Sequence, residues 1–226
     1  AMKAASLSGA KKGDSLASTV VGNDVIITML PAGKQVKATY MGENGVLSMA
    51  GNNALLIDCS TIDVITAREV CDKALRKGLD MIDAPVSGGV VGAAAGKLTF
   101  MVGGSQRAFD RAKSILDPMA KTVVYAGPSV NGQAAKICNN MMLAAGIIVT
   151  SEAFSLVDTL GLDRDTMFQI VSQATCQCWS LSIYCPVPVP LPTSPANSGY
   201  KPGFTTAMMD KDLKLAKNAA KEMGAN

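Results

Sequence analysis

No histidine occurs anywhere in the 226 residues. That excludes Ser-His-Asp and Cys-His nucleophile systems, and any zinc site built on imidazole. Cysteines stand at 59, 71, 138, 176, 178 and 185, but Cys176-x-Cys178 has no second pair at metal-ligand spacing. Neither a metal site nor a disulfide framework is indicated, and the pattern suits a reducing compartment. Cys59 and Cys138 fall in apolar runs and read as small buried thiols. No apolar run reaches about 18 residues, so no membrane-spanning helix is expected. The apolar stretch 141–149 ends at Thr150-Ser151-Glu152 and reads as a buried helix. No signal peptide or complete transit peptide is evident at the start of the chain. The 21 basic and 18 acidic residues leave a net charge of +3 and are mixed along the chain. That is no nucleic-acid footprint. Aromatic residues make up only 4 % of the chain, which leaves little aromatic bulk for a second core. Finally, no Gly-x-Gly-x-x-Gly turn is present. Gly92-Ala93-Ala94-Ala95-Gly96-Lys97 imitates a phosphate loop, but that motif needs glycine where Val91 stands and Ser or Thr where Leu98 stands.

What is present is a 48 % hydrophobic chain, ample for one large or two smaller cores. Apolar runs at 25–30, 54–59, 79–86, 98–102 and 122–125 read as strands. Helical periodicity covers 15–21, 33–41, 64–77 and 105–119, with Gly78 as a helix stop. Strands alternating with helices predict an α/β fold with a mostly parallel sheet. After Gly132 the pattern becomes helical: 133–160, then 163–173 opened by Asp163 as N-cap, then 205–223. Tyr184 to Pro202 is proline-rich and without period. The boundary is placed near 130, dividing the chain into 1–130 and 131–226.

Two segments carry chemistry. Asp83-Ala84-Pro85-Val86-Ser87-Gly88-Gly89 reads as a strand entering a glycine turn, where backbone N–H groups can approach an anion. Gly132-Gln133-Ala134-Ala135-Lys136-Ile137-Cys138-Asn139-Asn140 reads as the start of an apolar helix. Lys136 and Asn140 lie one turn apart on one face. Ala134, Ala135, Ile137 and Cys138 make an exposed lysine unexpected there. A desolvated lysine near a positive charge can exchange a proton near working pH. Together the segments suggest a site that holds a carboxylate and moves a proton.

These segments resemble the β-hydroxyacid dehydrogenase family, and within it the 3-hydroxyisobutyrate dehydrogenases. Thr28-Met29-Leu30-Pro31, Ile57-Asp58-Cys59-Ser60-Thr61-Ile62-Asp63 and Lys97-Leu98-Thr99-Phe100-Met101-Val102-Gly103-Gly104 extend the likeness. So do Cys178-Trp179-Ser180, Tyr184-Cys185-Pro186-Val187-Pro188 and Met209-Asp210-Lys211-Asp212-Leu213. The resemblance covers about 15 to 220. It implies an incomplete Rossmann-type parallel-sheet domain over 1–130, followed by an all-α substrate and dimerisation domain over 131–226. It implies NAD as cofactor and hydride transfer between 3-hydroxyisobutyrate and NAD, giving methylmalonate semialdehyde in valine catabolism.

By the same resemblance Lys136 is the catalytic lysine. Ser87, Gly88, Gly89 and Asn140 hold substrate, and Leu30, Pro31, Gln35, Thr61 and Lys211 hold cofactor. The implied partners are a small 3-hydroxy acid and a second copy of the chain, with neither nucleic acid nor membrane. The implied place is the mitochondrial matrix in a eukaryote and the cytoplasm in a bacterium. Alternatives stay open: a reductase of tartronate, glyoxylate or succinic semialdehyde, a non-catalytic interaction protein on the same fold, or an inactive fragment. The sequence departs from the family pattern in three places. The glycine-rich turn and acidic ribose contact are absent. Val130-Asn131-Gly132 replaces Gly-x-Gly before the lysine helix. The last helices are cut short. The chain is therefore expected to be truncated at both ends.

Overall fold

The protein is described by a computed structural model covering residues 9–201 and 203–225. Residues 1–8, Pro202 at the end of the proline-rich stretch, and Asn226 lie outside the described residues. The chain divides into two compact units, one ending at Lys136 and the other starting at Ile137.

In the first unit, β1 (Val25–Thr28), β2 (Leu55–Asp58) and β3 (Asp80–Asp83) lie side by side and parallel. All four residues of β2 are buried, as expected where a parallel strand is covered on both faces. Alternation divides them between two cores. Leu56 packs with Ile26, Val36, Tyr40, Val70 and Met81, whereas Leu55 and Ile57 pack with Ile82, Phe100, Val102 and Leu116. The helices of this unit begin with α1 (Leu16–Val20), α2 (Gly33–Met41), α3 (Val46–Met49) and α4 (Val64–Arg76). Asp63 opens α4 by accepting the Thr66 N–H at 2.7 Å. Beyond the last turn Gly78 takes φ +73°, a left-handed stop that suits glycine.

The expected strand 79–86 is divided. It forms β3 and β4 (Val86–Ser87) on either side of Ala84-Pro85, because Pro85 has no N–H to donate to the ladder. Its carbonyl still accepts the Met101 N–H at 3.0 Å. Both pieces pair antiparallel with β5 (Leu98–Gly104). The link from Ser87 to Leu98, containing α5 (Gly89–Ala94), is too short for a parallel crossover. The chain then passes through α6 (Gln106–Leu116) to β6 (Ala120–Gly127), parallel to β5. The sheet is thus α/β and mixed, with one reversal at β5.

Helix α7 (Asn131–Leu160) opens in the first unit and continues in the second. The stretch 141–149 is not a buried helix throughout: Ala144 is buried, but Met142 is 73 % and Val149 65 % exposed. Apolar residues surround the helix, so packing one side leaves the other in water. By length and composition α7 could cross a membrane, although no uninterrupted apolar run marks it in the sequence. Cys138 is exposed on it, contrary to the reading of a buried thiol, whereas Cys59 is buried. Cys138 follows buried Ile137 by one residue, and one residue turns the helix by about 100°.

In the second unit α8 (Arg164–Val171) is capped by Asp163, which accepts the Thr166 N–H at 2.8 Å. Next come α9 (Trp179–Ser182), a proline-rich stretch, and α10 (Thr206–Met223) with Thr205 as cap. The proline-rich stretch has little regular structure, yet it is packed. Cys185 and Val189 are buried against Phe154, Val171 and Leu181, and the Ser194 hydroxyl donates to the Cys185 carbonyl at 2.8 Å.

Candidate active site

Ligands in open α/β sheets collect at the carboxyl ends of the parallel strands. Here Met29-Leu30-Pro31 follows β1, Cys59-Ser60-Thr61 follows β2, and β3 ends at Asp83. The first two ends are joined by polar groups. Thr28 Oγ1 donates to Asp58 Oδ1 at 2.8 Å and Ser60 Oγ donates to the same oxygen at 2.6 Å. Ser60 Oγ in turn accepts the Leu30 N–H at 2.8 Å. Asp58 is 2 % exposed. Burial pushes its carboxyl above the usual range, while the Ser60 and Thr28 hydrogen bonds pull it back. This anchoring leaves Leu30 and Thr61 half-buried, and Pro31 and Gln35 exposed, along the rim.

Asp83 fixes the start of α7. Its carboxylate accepts the Val130 N–H at 2.6 Å through Oδ1 and the Gln133 N–H at 2.8 Å through Oδ2. This satisfies donors that a helix N-terminus leaves unpaired. Burial raises the Asp83 carboxyl to about 6, against the lowering effect of those two N–H groups. The close approach depends on glycine. A Cβ on Gly132 would lie 2.4 Å from the Met101 carbonyl and 2.7 Å from Asp83 Oδ2. Val130, where the family pattern has glycine, takes φ +80°. A β-branched residue there is strained.

In the first turn of the helix, Gln133 is fully buried. Its Nε2 donates to the Ser60 carbonyl at 2.7 Å, and its Oε1 accepts the Ile62 N–H at 3.1 Å. Lys136 follows three residues later and is 8 % exposed. Ser87 stands four residues after Asp83 and is half-buried. Gly88 and Gly89 have φ +128° and +60°, a left-handed backbone open to glycine. No atom lies within 4 Å of a Cβ built on Gly89, so its backbone is open to a ligand.

In the second unit, Asn140 is 1 % exposed and donates through Nδ2 to Asp212 Oδ2 at 2.5 Å. Its Oδ1 accepts from Asn139 Nδ2 at 3.0 Å. Lys211 Nζ lies 3.1 Å from Asp212 Oδ1, an ion pair without hydrogen-bond geometry. Asp212 therefore brings together Asn140 and Lys211. Sequence reasoning passed over it, and over Asp83 and Gln133. For Asp212 a signal was available. It and Asp210 are two positions apart, about 200° around a helix, so the two face opposite sides of it. Asp210 is the outward one, paired with Lys214 at 2.6 Å.

The donor set can be compared with a dinucleotide. A proline, half-buried backbone and a threonine hydroxyl at the rim of β1 and β2 are neutral groups, suited to the nicotinamide and its ribose. Among the described residues no Gly-x-Gly-x-x-Gly turn offers a seat for the pyrophosphate. The fit is to the nicotinamide end.

Two family models match the chain. The NAD binding domain of 6-phosphogluconate dehydrogenase matches residues 1–127, and the NAD-binding domain of NADP-dependent 3-hydroxyisobutyrate dehydrogenase matches 131–226. A probable 3-hydroxyisobutyrate dehydrogenase of Mycobacterium tuberculosis is 50 % identical over 202 residues, which are 89 % of this chain and 68 % of that protein. A probable mitochondrial 3-hydroxyisobutyrate dehydrogenase of Dictyostelium discoideum is 46 % identical over 216 residues, covering 96 % of this chain and 67 % of the relative. Among solved structures, the Mycobacterium tuberculosis 3-hydroxyisobutyrate dehydrogenase with L-serine matches at a TM-score of 0.89 and 48 % identity. That match covers 95 % of this chain and 72 % of the other. The identity runs through both units at a level that chance likeness does not reach, and the chain belongs to the 3-hydroxyisobutyrate dehydrogenase family.

Proposed function

We propose that this chain oxidises 3-hydroxyisobutyrate to methylmalonate semialdehyde with NAD, in valine catabolism. The observation that carries the reading is Lys136: a buried lysine one turn beyond a helix start pinned by Asp83 and Gln133. NAD, when bound, supplies the hydride acceptor. Leu30, Pro31, Gln35 and Thr61 would hold its nicotinamide end, and Lys211 is a further candidate contact. Ser87, Gly88 and Gly89 would seat the substrate carboxylate through a hydroxyl and open backbone. Asn140, its amide oriented by Asp212, would hold the substrate hydroxyl.

The bookkeeping of the reaction is simple. Neutral Lys136 Nζ would accept the hydroxyl proton as the C–O single bond becomes a carbonyl, and bound NAD would take up the hydride that the carbinol carbon gives up. In reverse, the lysine ammonium returns the proton. A positioned general base is worth roughly 10²–10⁴-fold in rate. Lys136→Ala should therefore lower kcat by that factor while the protein stays folded. Near-normal turnover in that variant would sink the reading. The assay is run with NAD and NADP, and in the reductive direction with NADH or NADPH and tartronate semialdehyde, succinic semialdehyde or glyoxylate as alternative substrates.

A second substrate reading, L-serine, is favoured by one observation. The relative solved with L-serine holds a small carboxylate that carries a hydroxyl on its β-carbon, the same pair of groups. Comparing kcat/KM for the two acids decides between them. A second copy of the chain would cover the exposed face of α7, including Met142, Val149, Leu156 and Leu160. The exposed charge of Glu152 breaks the apolar surface of that helix and favours a protein partner over a bilayer. The expected compartment is the mitochondrial matrix in a eukaryotic host and the cytoplasm in a bacterial one.

A further inference from the structure

We infer that Gln133 is a positioning residue for the reaction, holding the loop at Thr61 in register with Lys136. Its amide is used at both ends: Nε2 donates to the Ser60 carbonyl and Oε1 accepts the Ile62 N–H. These two backbone groups flank Thr61 and project to one side of an extended segment. The side-chain amide pairs with them as a neighbouring strand would. On the other side Gln133 belongs to the first turn of α7, where its backbone N–H is held by Asp83 Oδ2 at 2.8 Å. Gln133 is completely buried, so water cannot substitute for either bond.

The consequence is geometric. Lys136 is three residues further along the same helix, and Thr61 lies between the two clamped groups. Proton removal at the hydroxyl and hydride loss at the adjacent carbon must meet in one geometry, and a misplacement of about 1 Å can cost roughly 10²-fold. Asp83 sets where the helix starts. Gln133 ties that start to the strand end on which the cofactor side is built. Both side chains are buried.

The inference rests on Lys136 as the proton-transfer group and Thr61 as a cofactor-side contact, so Lys136→Ala is measured in parallel. Gln133→Leu removes both bonds, and the isosteric Gln133→Glu removes the donor to Ser60 while keeping an acceptor for Ile62. For Gln133→Leu we expect kcat to fall about 10–100-fold, with both KM values changed by less than about threefold. Gln133→Glu should fall between it and the unaltered protein. With substrate deuterated at the carbinol carbon, the isotope effect on kcat should rise in both variants, because hydride transfer becomes more fully rate-limiting. A residue that only supported folding would lower the amount of active enzyme and leave the isotope effect unchanged. If Gln133→Leu does not fold, Gln133→Glu decides. Unchanged kcat and isotope effect in the folded variants, with Lys136→Ala inactive, would overturn the inference alone. An active Lys136→Ala would overturn the reading beneath it.

Discussion

Val130 is the sharpest point at which the backbone can be tested. It is 4 % exposed, packs into the core that contains Leu56 and Val70, and takes φ +80°. A buried valine at ordinary φ loses about 2–3 kcal/mol of packing on truncation to glycine. Backbone freedom in the unfolded chain adds roughly 0.5–1 kcal/mol, so the ordinary cost is about 3–4 kcal/mol. At Val130 glycine also relieves the left-handed strain of a β-branched residue, worth about 2–3 kcal/mol. Its N–H can still reach Asp83. Val130→Gly should therefore cost only about 1 kcal/mol. Val102, fully buried in β5 and absent from the positive-φ residues, is the internal control. Val102→Gly should cost the full amount. At roughly 2–4 °C per kcal/mol for a chain of this size, the two melting temperatures should differ by about 4–12 °C. Calorimetry or circular dichroism of the two variants is sufficient. Equal losses would refute the strain argument and leave the departure from Gly-x-Gly without energetic content.

Three further outcomes are expected. Gly132→Ala forces a Cβ to within 2.8 Å of backbone oxygens at Met101 and Asp83, so it should cost 3 kcal/mol or more and show as lost soluble yield. Gly89→Ala meets open space and should cost only about 1–2 kcal/mol of left-handed strain. If the turn seats the substrate carboxylate, the same variant raises KM for the hydroxy acid. For Asp83 the folded carboxyl titrates at about 6, above its ordinary 3.8. The folded state then binds the proton more tightly, so this group's contribution is greatest below pH 3.8 and is lost as pH rises through about 6. The loss is of order 3 kcal/mol. Denaturant unfolding between pH 4 and 7 should show a shallower slope for Asp83→Asn; parallel slopes would contradict the assignment.

Most of the first unit was legible in the residues because its elements are set locally. Leu55-Leu56-Ile57 is apolar on both faces, which only a covered parallel strand satisfies. In the second unit Asp163 likewise marks a helix start by what its side chain can accept. The reversal at β5 was not legible, since a short apolar run carries no sign of the direction in which it will pair. The outward face of α7 was missed for a related reason: a helix apolar all round does not say which side is packed. Within the site, Lys136 and Asn140 stand out as polar groups in an apolar run. Asp83, Gln133 and Asp212 do not, because each acts by meeting a group distant in the chain: Gln133 reaches Ser60 and Ile62, and Asp212 reaches Asn140.

Sequence alone was enough for the class of fold, the lysine with its small and apolar neighbours, the glycine turn, and the family resemblance. Composition, periodicity and local motif chemistry are properties of contiguous residues. Tertiary structure decided how the lysine helix is held: a buried carboxylate receiving two N–H groups, an amide standing in for a strand, and glycines that let the helix start approach β5. Those are matters of distance between segments far apart in the chain, and no local pattern encodes them.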